Sequence, residues 1–196
     1  HQSDHFIKLS LSNLMHGGSY RTVPASGGGW SWTDLRRINT VLSRMDTCED
    51  EQVRLQYEGL ARFFRAFFYF EKVKLFGDVP WIDEELASDS EKLKAPRDSR
   101  ELIMQKMLED VDFAIANLPS AVSTFRVNKY AALALKAQFC LFEGTFRKYH
   151  QLEINAADAG VEYVNDYTFY LEEAAAAAKE IMDSKVYKLY TTGNPD

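Results

Sequence analysis

The stretch EGLARFFRAFFYFEKVKLFGDVPWI, Glu58 to Ile82, limits what this chain can become more than any other part of it. Between Phe63 and Phe70 the one charged residue is Arg65, so two helical turns lack a polar face and belong inside a bundle, with Phe67 in the core. The run is too short for a bilayer span, which takes ~20 nearly uncharged residues. Its polar residues keep helical spacing: Glu58 precedes Arg62 by one turn and Arg65 follows three positions on. A carboxylate beside two guanidiniums offsets the cost of burying them, so the three are expected to be partly buried and hydrogen-bonded to one another. The helix must then stop. Gly77 can take the left-handed conformation after the last turn, Val79 is pushed to extended geometry by the following proline, and Pro80 cannot continue a helix. Trp81 is expected to cover the end of this helix.

The remaining segments read as further helices. Thr33 is placed to cap one that carries Leu35, Ile38, Val41, Leu42 and Met45 on one face and ends near Asp46, with Trp32 stapled onto it. Glu49, Asp50 and Glu51 supply a negative first turn to the central helix, and the acidic connection from Trp81 to Arg97 is too polar to pack. Asp98 or Ser99 caps a helix with Ile103, Met107, Val111, Ile115 and Leu118 on one side, and Pro119 ends it. Asn128 opens the next, where Ala131, Ala132, Ala134 and Ala137 allow close approach and Phe139, Phe142 and Phe146 make an aromatic end. A polar insertion from Arg147 to Thr168 precedes a last helix from about Phe169 to Ser184, built on Ala174 to Ala178. Ala137 seven before Gly144, with Phe146 two after it, follows the tetratricopeptide pattern, although Cys140 stands where that pattern prefers Tyr. The fold class expected is all-α, tetratricopeptide-like helix pairs stacked as a bundle in one domain, 1–196.

The order and spacing of particular residues carry a family resemblance. Glu58, Arg62, Phe63, Arg65, Ala66, Tyr69 and Phe70, closing on Phe76, Gly77, Asp78, Val79 and Pro80, resemble the signature of SusD/RagB proteins. Pro96, Arg97 and Ser99 continue in register, as do Asp110, Ala114, Leu118 and Pro119, then Arg126, Lys129, Ala131, Ala132 and Ala134. Gly144, Thr145 and Phe146, and later Lys185, Tyr187 and Leu189, extend the resemblance over roughly Trp30 to Tyr190. It implies a surface lipoprotein of the bacterial outer membrane that binds oligosaccharide without cleaving it and works with a SusC-like TonB-dependent transporter. It also implies that this is the N-terminal helical part of a longer protein, with the lipid anchor outside this sequence.

The residues themselves exclude several chemistries. With 23 Lys and Arg against 29 Asp and Glu, a net charge of −6 and no basic stripe, nucleic acid is not an expected partner. Gly27 to Gly29 are not followed by Gly-Lys-Ser/Thr, so they do not make a phosphate loop, and no nucleophile elbow, HExxH or dinucleotide fingerprint occurs. The acids fall at helix caps and in loops, singling out no catalytic pair. His1 and His5 are one turn apart without a third ligand, so neither metal nor cofactor is expected. Cys140 reads as a free buried thiol, with a bridge to Cys48 the alternative. Sugar binding asks for less: aromatic faces for the pyranose C–H surface, with polar groups at the rim. Most aromatics here keep helical spacing and belong to the core, leaving the loop residues Trp30, Trp32 and Tyr20 as candidate platforms and Arg21 as a hydroxyl partner. A scaffold whose stacked helices bind a peptide in a groove is the alternative function.

Overall fold

The computed structural model describes residues 27–189 and 193. The chain divides into two compact units, one ending at Ser31 and the other beginning at Trp32. In the first, Gly27, Gly28 and Gly29 all have positive φ, and the Trp30 amide closes a turn by donating to the Gly27 carbonyl at 3.1 Å.

The second unit is all-α among its described residues, with five helices: α1 (Thr33–Leu42), α2 (Glu51–Phe76), α3 (Arg100–Asn117), α4 (Lys129–His150) and α5 (Tyr167–Ser184). Polar side chains start four of them. Asp50, Ser99, Asn128 and Asp166 each accept from a backbone amide in the first turn, satisfying donors that the helix itself cannot. The expected cap at Thr33 is not found: Thr33 is the first helical residue, Trp32 occupies the cap position, and no side chain caps that end. α1 also ends earlier than expected, at Leu42, and a short 3-10 turn, Met45–Thr47, follows it.

α2 packs on α3, α4 packs on α5, and α3 joins the pairs, which is the stacking expected of tetratricopeptide-like units. The core between them holds Tyr69, Phe70 and Val73 of α2, Ile103, Met107 and Val111 of α3, and Phe139 and Cys140 of α4. Tyr170 of α5 and Leu35 of α1 complete it. Cys140 and Cys48 are free thiols, and burial pushes the Cys140 pKa up. Gly144 explains how α4 and α5 come so close, since a Cβ there would lie 2.8 Å from Leu171 Cγ and 3.1 Å from the Tyr167 carbonyl oxygen.

Two buried ionic clusters lock these contacts. Arg65 and Asp110 form a bidentate pair between α2 and α3, at 2.6 and 2.7 Å. Glu58 and Arg62 pair as expected, at 2.7 Å, and Arg65 is linked to them not directly but through Asp110 of α3, which Arg62 also reaches at 3.5 Å. The second cluster contradicts the expectation that residues from Arg147 onward form a polar insertion. α4 runs to His150, and Arg147 is buried, bonded to Glu101, to Glu143 at 2.8 Å and to the Asn165 carbonyl at 2.8 Å. Arg100 also reaches Glu143, at 2.5 Å. Two carboxylates hold the guanidinium inside, so the helix continues past it.

The central helix is less enclosed than its composition suggests. Phe67 is 45% exposed and Phe64 43%, because the neighbouring helices cover the side that bears Arg65, Ala66, Tyr69, Phe70 and Val73. An apolar run without a polar face can still be covered on one side only. Replacing the fully buried Phe139 by Ala is expected to cost about 3–5 kcal/mol in urea denaturation. Phe67→Ala should cost about 1 kcal/mol or less, as a partly exposed position does.

Candidate functional site

After α2 the chain turns at Gly77, whose φ of 71° favours glycine, and runs extended through Val79. Val79 pairs with Asp98 in an isolated antiparallel bridge, and the Asp98 carboxylate accepts from the Trp81 amide at 2.7 Å. The Asp78 carboxylate accepts from the Arg100 amide at 2.9 Å. The segment is thus fastened to the start of α3. Trp81 stacks on Tyr69, ring centroids 4.5 Å apart, so it covers the end of the central helix as expected. The Tyr69 hydroxyl accepts from the Ile82 amide at 2.7 Å and donates to the Pro80 carbonyl at 3.1 Å.

α1 clamps the same segment from its other side. The Asn39 side-chain nitrogen donates to the Ile82 and Glu84 carbonyls, at 2.9 and 3.0 Å. Asn39 is only 1% exposed, and no donor among the described residues reaches its side-chain oxygen. This residue borders a cavity of about 420 Å³ whose wall also includes Trp32, Arg36, Glu84, Leu86 and Leu93. The cavity therefore combines an indole, a guanidinium, a carboxylate and a buried amide with apolar surface, the mixture a pyranose requires.

Trp32 is half-buried here. Its ring meets Phe68 at 5.6 Å and Tyr69 at 6.3 Å, so it packs on α2 rather than stapling its own short helix. Lys72 Nζ lies 5.5 Å from the Trp32 ring centre; burial lowers the pKa of this lysine and the charge of Asp34 opposes the shift. Trp30, 41% exposed, belongs to the first unit, and Tyr20 and Arg21 lie outside the described residues. Sequence reasoning missed Asn39, Arg36 and Glu84. Asn39 carried a usable signal, because a polar residue four after Leu35 sits on the apolar stripe of α1.

A second cleft, of about 510 Å³, shares Glu84 and is bordered by Glu58, Arg62, Arg65, Trp81, Lys106 and Asp110. Its groups are largely committed to one another. Arg62 holds Glu58, Arg65 holds Asp110, and the Arg65 guanidinium stands 5.0 Å over the Trp81 ring. Among the described residues, no three His, Cys, Asp or Glu gather to hold a metal ion, and no helix is long and apolar enough to cross a membrane. Asn39→Ala is expected to lower stability by about 2–3 kcal/mol in chemical denaturation, because two carbonyls then lose their donor.

Comparison with known proteins identifies the family. Residues 30–141 match the SusD-like family model described as starch-binding and associating with the outer membrane. A SusD-like protein, P38, of Formosa agariphila is 32% identical over 87 residues, which cover 44% of this chain and 17% of that protein. The crystal structure of a SusD superfamily protein from Parabacteroides distasonis is 25% identical with a TM-score of 0.63, covering 81% of this chain and 31% of that one. Surface glycan-binding protein A from Bacteroides uniformis shares the fold, at 20% identity and a TM-score of 0.58 over 81% of this chain and 32% of its own. The chain spans less than a third of each solved relative and a smaller share of P38. With the family model matching more than half of its residues and its helix pairs stacked as in those structures, the chain belongs to the SusD-like family.

Proposed function

We propose that this chain is the N-terminal helical part of a non-catalytic glycan-binding protein at the bacterial cell surface. Oligosaccharide is captured there and passed to a SusC-like TonB-dependent transporter of the outer membrane, the protein being held by a lipid anchor outside this sequence. The observation that carries the reading is the cavity beside α1, lined by the Trp32 indole together with Arg36, Asn39 and Glu84. A pyranose would lay C–H surface against the exposed part of the indole. Its hydroxyls would exchange hydrogen bonds with Arg36 and Glu84. Its membership of a family described as starch-binding supports the same ligand class.

Magnitudes limit what this site does alone. A stacked ring adds about 1 kcal/mol beyond burial, whereas micromolar affinity needs about −8 kcal/mol. Further platforms are needed: Trp30, Tyr20 and Arg21 are proposed as sugar contacts in their own right, together with residues of the longer protein. Calorimetry with starch-derived and other oligosaccharides is the test, run on this chain and on the intact gene product. The chain alone should bind no tighter than about millimolar and the intact protein near micromolar. Trp32→Ala and the surface variant Arg36→Ala should each weaken binding by the intact protein about tenfold without releasing sugar fragments. Affinity that survives both substitutions would remove the cavity from the site, and cleavage of any sugar would overturn the non-catalytic reading.

A further inference from the structure

The outer side of α2 carries an apolar seam that the glycan reading does not use. Val53, Tyr57, Leu60, Phe64 and Phe67 follow one another at intervals of four, three, four and three residues. Four of the five are exposed, by 40–55%, and Leu60 is half-buried. The next place in the series is Glu71, paired with Lys74, so the charged surface expected of a solvated helix begins only there. Over fourteen residue steps the seam extends about 21 Å. It borders a groove of about 620 Å³ between α2 and the α3–α4 connection, where Leu118, Val127 and the 95% exposed Phe125 add apolar wall.

Alternation of four and three is the spacing that receives the knobs of a second α-helix. Tyr57, Leu60, Phe64 and Leu118 dominate the groove, with Gln56, Ser123 and Arg126 as its polar side chains. The solved relatives carry more than twice the length of chain that matches this one, in the same polypeptide. A helix tethered in the same chain has an effective concentration far above that of a free partner or a second copy.

We propose that the seam is covered by an amphipathic helix of about four turns from the further polypeptide of the same protein, seated along Tyr57, Leu60, Phe64 and Phe67. This rests on the reading of the chain as part of a longer protein and is independent of whether that protein binds sugar. Its ligand is an apolar helix face, and its consequence is that the rest of the protein is built onto the outer side of α2.

Phe64→Glu combined with Phe67→Glu tests this in this chain and in the intact gene product. In this chain the melting temperature should fall by no more than about eight degrees, and binding of the apolar dye 8-anilinonaphthalene-1-sulfonate should fall. In the intact protein the same pair should lower the melting temperature by at least about five degrees more than in this chain, or prevent folding. A single Phe64→Cys substitution in a Cys48→Ser background gives a second, gentler readout. Maleimide should label it at least about tenfold more slowly in the intact protein than in this chain. Equal labelling rates overturn the proposal, as does a gene that encodes no further chain. Concentration-dependent dimerisation of the intact protein that Phe64→Glu abolishes would assign the seam to a second copy and overturn it too.

Discussion

Two charges taken out of water decide how α2 and α3 meet. Arg65 is 7% exposed and Asp110 1%, and either would be costly alone, because an unpaired buried ion is worth several kcal/mol against folding. Their two parallel hydrogen bonds fix rotation as well as distance, which a purely apolar contact would leave freer. Burial by itself lowers the Arg65 pKa, but the hydrogen bond and charge of Asp110, with smaller contributions from Asp83 and Tyr69, leave it raised. For Asp110 burial raises the pKa, opposed by the hydrogen bond and charge of Arg65.

From that pair a line of contacts leads to the cavity. Arg65 stands over Trp81, Trp81 stacks on Tyr69, and the Tyr69 hydroxyl bonds the Pro80 and Ile82 backbone. Burial pushes the Tyr69 phenol pKa up, so it stays a neutral donor and acceptor at this junction. The Ile82 carbonyl then receives Asn39 from α1, whose other side-chain atom meets no donor. The cavity wall is thereby positioned by packing two layers away from it. The cluster of Glu101, Glu143, Arg100 and Arg147 does for α3 and α4 what the first pair does for α2 and α3. Arg147 adds a bond to the Asn165 carbonyl and stands 4.7 Å from the Tyr170 ring centre, which brings the start of α5 into the same lock.

Much of the fold was legible because it is local. Caps at Ser99 and Asn128 and the stop at Gly77 and Pro80 act within a few positions of themselves. What could not be read is long-range or a matter of phase. Asp110 lies 45 residues from Arg65, whereas helical spacing reveals partners only three or four away. A run that is apolar on every side contains no indication of which side will be covered, hence the misplacement of Phe67. At the candidate site, Trp32 was legible as a loop indole beside a helix. Arg36 and Glu84 looked like ordinary surface charges, and only the fold brings them to the same cavity.

That the Arg65–Asp110 pair sets the geometry of α2 and α3 is tested most directly by a double-mutant cycle of Arg65→Met and Asp110→Leu, measured by urea denaturation. Asp110→Leu should cost about 3–5 kcal/mol by stripping the buried Arg65 of its carboxylate, Arg65→Met should cost less because Arg62 still reaches Asp110 at 3.5 Å, and the double variant should lose no more than Asp110→Leu alone. Two small losses that simply add would show that the helices meet without the pair and would contradict this order of dependence.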